Sequence, residues 1–215
     1  MPGGSFFMAE EKKTLLDRDD ISRMVTRMAH EIVEKASHPA ELALIGIRSR
    51  GVHLARRIAR KIGEIAKIAP AVGVIDVTPY RDDKLQEPST AAVGAFEVQV
   101  TVDDRTVVLI DDVIFRGRTI RAAMEAVERL GRPKRILVAA LIDRGARELP
   151  IRADIVGKNI DVLDGQRVNV LLDEADGVDQ VIVSEWQGRS QGWLLSKCSF
   201  QYVPQLFLFT AILVK

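Results

Sequence analysis

The chain has 215 residues, the length of one ordinary domain, and 47% of them are hydrophobic, enough for a substantial core. Its formal net charge of +1 excludes a global field that demands nucleic acid or a membrane surface, while leaving room for a local basic face. A single cysteine, Cys198, excludes an intramolecular disulfide framework. The first residues lack the basic start and apolar stretch of a secretory signal, and no window reaches the ~20 apolar residues of a membrane span. A cytoplasmic protein without a membrane partner is expected.

Residues 1–13 read as a flexible arm, residues 14–185 as the domain and residues 186–215 as an atypical extension. Asp17 or Asp20 is placed to cap a first helix, whose buried stripe is Ile21, Val25, Met28 and Ile32. Thr26 and His30, four apart, share another face of it. Spacing alone leaves His30 open to being a plain surface histidine.

Leu42–Ile47 is an apolar run of strand length. Arg48, Ser49, Arg50 and Gly51 follow, then a helix with Leu54, Ala55, Ile58, Ala59 and Ile62 turned inward. Arginines, a hydroxyl and backbone N–H groups at a helix start suit an anion such as pyrophosphate. Taken alone, Arg48 and Arg50 read equally well as solvated loop charges. Ala71–Thr78 is the next strand, and Pro79–Lys84 ends it. Residues 85–98 carry little helix or strand signal. They read either as a lid over a reacting centre or as a hairpin-like excursion in which Phe96–Val102 pairs with Val107–Ile110.

The most informative stretch is Val107–Thr119. Four apolar residues lead to Asp111 and Asp112. Val113, Ile114, Phe115, Arg116, Gly117, Arg118 and Thr119 then turn into a helix marked by Ile120, Met124, Val127 and Leu130. A strand delivers two acids to a ligand, and N–H groups around Gly117, with Arg118 and the Thr119 hydroxyl, suit a phosphate. Acids beside a phosphate loop fit a sugar phosphate whose hydroxyls and magnesium require carboxylates.

Gly131–Pro133 stops that helix, and Ile136–Ile142 is a further buried strand. The charged loop 143–154 carries Arg144, Arg147 and Arg152, placed either to cover a base site or to form a basic patch. Ile155–Asn159 returns to the sheet. Val168–Leu172 and Val181–Val183, with Gly177 in the turn between them, predict an antiparallel pair at the sheet edge. Alternating strands and helices predict an α/β fold with a mainly parallel sheet flanked by helices. Residues 203–214 are almost wholly apolar and read as an edge strand, an oligomer contact or a sticky tail.

The Val107–Thr119 stretch resembles the phosphoribosyl pyrophosphate (PRPP) motif of type I phosphoribosyltransferases. The wider resemblance, from about Leu16 to about Glu185, is to the bifunctional regulators of pyrimidine operons that are also uracil phosphoribosyltransferases. It is carried by Thr26–Glu31, Gly46–Gly51, Asp76–Asp83, the PRPP motif and Asp143–Asn159. The resemblance implies the type I fold with a mobile loop and a small antiparallel element, and conversion of uracil and PRPP to UMP and pyrophosphate. Ser49 and Arg50 would hold pyrophosphate, Asp111 and Asp112 the ribose hydroxyls, and residues 115–119 the 5′-phosphate, with Arg48, Val113 and Ile114 also among the substrate-binding residues. Arg144 and Val156 would lie near the nucleotide or base, Tyr80 and Arg81 on the mobile catalytic loop. Mg2+ would arrive mainly on PRPP or pyrophosphate, with no dedicated protein metal site.

The resemblance further implies UMP- or UTP-dependent binding of a pyrimidine mRNA leader stem-loop, through a basic face on a homodimer or higher oligomer. Thr26, His30, Arg147 and Arg152 match that face. The chain departs from the family pattern at Arg116, usually Thr or Ser, at Ala146, usually His, in the 84–94 lid, and at Ile160–Asp164. Two alternatives follow from these departures: an RNA-binding attenuator whose enzyme activity is weakened by Arg116, and an enzyme without RNA function.

Overall fold

A computed structural model describes residues 13–36, 38–77, 100–163 and 165–185. The strongest apolar runs form one parallel sheet because both of its faces are covered. Its strands are β2 (Leu42–Ile47), β3 (Ala71–Ile75), β4 (Thr106–Ile114), β5 (Arg135–Asp143) and β6 (Ile155–Asn159), in the order β3-β2-β4-β5-β6. Strand β4 is central, and alternate side chains along it feed two cores. Val108 and Ile110 pack with helices α1 (Arg18–Lys35) and α2 (Arg50–Ala66). Val107 and Leu109 pack with Ile120, Ala123 and Val127 of α3 (Arg118–Leu130) on the opposite face.

The expected α1 stripe is buried as read, with Met24 and Ala29 added, while Ala59 in α2 and Met124 and Leu130 in α3 are only half-buried. Helix α1 starts in a capping box: the Asp17 carboxylate accepts the Asp20 N–H at 2.9 Å, and Asp20 reciprocates to the Asp17 N–H at 3.2 Å. That exchange, with a bond from Arg23, holds the Asp20 carboxyl below its ordinary value.

The chain steps from β2 outward to β3, then returns to the other side of β2 as β4 and proceeds to β5 and β6. The order reverses between β2 and β4, and their C-terminal ends open a crevice there, where ligands of open α/β sheets bind.

The structure corrects three expectations. Both edges of Val107–Ile110 are occupied, by Ala43–Gly46 of β2 and Ile136–Ala139 of β5, which leaves no edge of that stretch for the expected hairpin, whose residues 96–99 lie outside the described residues. The antiparallel pair β7 (Gln166–Leu171) and β8 (Gln180–Glu185) does form, joined through α4 (Asp173–Asp176). It does not extend the parallel sheet. It builds a separate three-stranded sheet, β1-β8-β7, whose third strand is β1 (Lys13–Leu16), at the border of the expected N-terminal arm. In β1 only Leu16 is buried, so four residues carried too little pattern to reveal a strand made by tertiary pairing. Residues 1–12, 78–99 and 186–215, including the expected lid and the C-terminal extension with Cys198, lie outside the described residues.

Candidate functional site

Strand β4 stays apolar through Ile110 and then places Asp111 and Asp112 within its last turns of pleat rather than beyond its end. Asp111 is buried, with 7% of its surface exposed, and its carboxylate accepts the Asp112 N–H at 3.0 Å. Gly117 follows at φ +90°, the left-handed region, which lets the chain turn sharply into α3. Gly117, the N-cap of α3, makes no side-chain capping bond, and the first turn of the helix opens on this loop.

Two glycines bring the second loop against these acids. A Cβ on Gly51 would sit 2.4 Å from the Ile110 carbonyl oxygen, and one on Gly46 would sit 2.5 Å from the Val52 Cα. The start of α2 therefore lies directly on β4, one residue before Asp111. Arg48, Ser49 and Arg50 stand at that start. The Arg48 N–H donates to the Ile75 carbonyl at 2.9 Å, and no side chain caps the helix at Ser49. Arg50 makes a fork to Asp176, Nε to Oδ2 at 3.0 Å and Nη2 to Oδ1 at 2.8 Å. That pair, aided by the charge of Asp112, raises the Arg50 pKa against the cost of its burial. The same bond from Arg50 holds Asp176 below its ordinary value.

The charged loop after β5 is laced onto the phosphate loop. The Arg116 carbonyl accepts the N–H groups of Glu148 and Leu149 at 3.1 and 3.2 Å. The Glu148 carboxylate bridges Arg116 Nε at 3.0 Å and Arg118 Nε at 2.7 Å. Arg147 donates to the carbonyls of Phe115, Gly145 and Ile151 and to the Asp143 carboxylate, at 2.6 to 3.0 Å. The Arg144 guanidinium lies 4.0 Å from the centroid of the Phe115 ring and donates to the Gln166 carbonyl at 2.9 Å.

These elements enclose a cleft of about 740 Å³, lined by Arg48, Ser49, Arg50, residues 111–120, Arg144 and residues 165–170. Every expected residue from the two loops and the acid pair, with Arg144, faces this one space. Val156 is not among its lining residues. It sits in β6 beside Ala140, and its carbonyl accepts from Arg27 at 3.0 Å. Tyr80 and Arg81 lie outside the described residues. Thr26 and His30 border a separate shallow depression on α1 with Ser22, Arg23 and Arg27, and Arg152 is exposed on the β5–β6 loop. Arg147, expected on the same basic face, has its guanidinium turned inward with only 17% of the side chain exposed. Sequence reasoning missed the β7 wall at residues 165–170, Glu148 and Asp176, because none carries a local signal and each reaches the site through the tertiary fold. Among the described residues, no group of three or more His, Cys, Asp or Glu side chains is arranged to hold a metal.

Two anion-seeking loops flanking a strand-borne acid pair at a sheet switch point are the arrangement of a phosphoribosyltransferase. A family model described as "Phosphoribosyl transferase domain" matches residues 11–173. The hypoxanthine phosphoribosyltransferase of Trypanosoma cruzi shares the fold at a TM-score of 0.62 and 17% identity, over 81% of this chain and 97% of that one. A Staphylococcus aureus hypoxanthine phosphoribosyltransferase aligns at a TM-score of 0.61 and 16% identity, over 81% and 91% of the two chains. Nearer relatives are the "Bifunctional protein PyrR" of Pelotomaculum thermopropionicum, 49% identical over 83% of this chain and 98% of its own, and that of a Roseiflexus species, 50% identical over 80% and 94%. The chain belongs to the PyrR family.

Proposed function

We propose that this cleft transfers a phosphoribosyl group from PRPP to uracil, giving UMP and pyrophosphate, and that uridine nucleotide bound in it promotes binding to the mRNA leader of pyrimidine genes. The observation that carries the reading is the convergence of Arg48–Gly51, Asp111–Asp112 and residues 115–119 on one cleft. It is supported by membership in a family whose curated relatives are named bifunctional.

The chemistry asks little covalent work of the protein. The C1′–O bond to pyrophosphate breaks with its electron pair leaving on oxygen, the uracil N1–C1′ bond forms, and the N1 proton is lost. Asp111 and Asp112 orient the ribose hydroxyls and stabilise the positive charge that develops on the ring. The 115–119 loop holds the 5′-phosphate, while Ser49 and Arg50, with Arg48, receive the leaving pyrophosphate. Arg144, stacked on Phe115, stands on the base side, and catalytic roles are assigned to Tyr80 and Arg81, which lie outside the described residues. Magnesium fits as a passenger on PRPP: this cleft offers a carboxylate pair rather than a cage, as magnesium–phosphate sites do.

RNA binding is assigned to the exposed face of α1 at Thr26 and His30, flanked by Arg23 and Arg27, with Arg152, on a cytoplasmic homodimer or higher oligomer. Arg147 enters that reading as a brace of the loop that carries Arg152. Its inward guanidinium, with Ala146 beside it, favours the second reading, an enzyme without RNA function. A base panel of uracil, hypoxanthine, guanine and adenine with PRPP tests the first activity, with UMP as the expected sole nucleotide. A gel-shift titration of a pyrimidine leader stem-loop, with and without UMP, tests the second. Turnover without any RNA shift selects the enzyme-only reading.

A further inference from the structure

The guanidinium of Arg50 is held through a two-bond fork by Asp176, in the α4 turn that joins two strands of the small sheet. Asp176, at the end of α4, is itself fixed. Its Oδ2 accepts the Leu172 N–H at 2.9 Å, and 19% of its side chain is exposed. The turn that carries it is clamped to α2 again about two turns further along. Arg57 donates from Nε to Glu174 at 2.8 Å, and to both oxygens of Asp179 at 2.7 and 2.9 Å. Asp179 also accepts the Asp173 N–H at 2.8 Å.

A guanidinium has five N–H donors, and this fork uses two of them, from Nε and Nη2. Three remain on the other edge of a side chain that lines the cleft and is 32% exposed. Without a carboxylate behind it, a long arginine samples many rotamers and loses them on binding. Asp176 removes that freedom in advance, from a rigid turn outside the cleft lining.

Resting on the phosphoribosyltransferase reading above, we propose that Asp176 is a positioning residue for the pyrophosphate end of the substrate: it aims Arg50 at the leaving group and leaves the 5′-phosphate and base ends of the cleft untouched. The small sheet thereby contributes to leaving-group recognition from outside the cleft, besides supplying the wall at residues 165–170.

The test uses the full chain and four ligands: pyrophosphate, PRPP, UMP and uracil. Inorganic pyrophosphate and PRPP engage Arg50, whereas UMP, which lacks a pyrophosphate, does not. In Asp176→Asn, the inhibition constant for pyrophosphate and the KM for PRPP rise about tenfold, as small displacements of positioning groups do. The Kd for UMP and the KM for uracil stay within about twofold. Asp176→Glu keeps the charge but displaces the fork by one methylene, and gives an intermediate loss for pyrophosphate alone. It carries the same test if the asparagine variant does not fold. Asp179→Asn loosens the same turn without touching Arg50 and leaves pyrophosphate affinity unchanged. Unchanged or tighter pyrophosphate binding in the Asp176 variants overturns the proposal. So does a parallel loss of UMP binding, or an equal loss in Asp179→Asn, since each reports a merely structural role. A wild-type chain that binds neither pyrophosphate nor PRPP contradicts instead the phosphoribosyltransferase reading.

Discussion

Arg116 stands in the phosphate loop where the family resemblance leads to the expectation of Thr or Ser, and the structure shows where its bulk goes. Its Nε reaches Glu148 at 3.0 Å, the guanidinium lies 5.2 Å from the Phe115 ring centroid, and 55% of the side chain is exposed. The backbone turn at Gly117 is intact around it. Arg116→Thr therefore changes the turnover number less than about threefold, since an exposed ion pair of this kind contributes little. A sharp rise in steady-state turnover would instead identify Arg116 as a block on the cradle. Asp112 stands differently: it lines the cleft on the strand beside the buried Asp111. Asp112→Asn lowers kcat/KM about 100-fold, the scale of losing a charge aimed at a developing one, with the melting temperature nearly unchanged. The acid pair and both loops were legible in the sequence because each is a contiguous run with its own chemistry. Glu148, Asp176 and the inward turn of Arg147 were not, because a long charged side chain chooses its partner only after the fold has placed the candidates.

At the scale of elements, two joints hold the site in shape. One is the seating of α2 on β4. Gly51 leaves no room for a methyl group beneath the Ile110 carbonyl, and backbone on both sides prevents an easy shift. Gly51→Ala costs about 3 kcal/mol by overpacking, a fall of roughly 10 °C in melting temperature for a domain of this size, and it displaces the 48–51 loop from the acids. The other joint is Arg147, whose four partners tie the 143–151 loop to Phe115. Arg147→Ala removes the partner of Asp143 Oδ2, leaving the carboxylate, among the described residues, only its bond from the Gly145 N–H, and costs about 2 kcal/mol, read by denaturant unfolding. An undiminished midpoint would show that the loop is held by its backbone bonds alone. The buried strands β2, β4 and β5 and the three long helices followed from apolar periodicity, which is strong over such lengths. Strand β1 and the separate small sheet did not, since short strands take their identity from their partners.

Over the whole molecule, the small sheet shares an apolar core with α1 and α2 through Leu16, Val168, Val170, Leu172 and Val181, and a set of ion pairs adds to that joint. Bonds from Arg57 hold Glu174 below its ordinary pKa. Burial pushes Asp179 up, but bonds from Arg57 and the Asp173 N–H outweigh it and leave the net shift downward. Asp176 is lowered by Arg50. Carboxyls lowered in the folded state stabilise it above their unfolded values, near pH 4, and that contribution is lost as pH falls through the lowered values. Melting temperature should thus fall between about pH 5 and about pH 3, and Asp179→Asn should lose less across that window than the wild type. An equal loss would place the acid-sensitive groups elsewhere. The parallel sheet sets β2 and β4 side by side with their loops at one crevice, and this topology joins a phosphate loop, an acid pair and a pyrophosphate loop that lie some sixty residues apart in the chain. The claim that this crevice transfers phosphoribosyl groups to uracil is tested most directly by incubating the purified full chain with uracil and PRPP, with and without magnesium, and quantifying both products. UMP and pyrophosphate are expected in equal amounts, formed only with magnesium. Absence of UMP under those conditions, or pyrophosphate released without it, would contradict that claim.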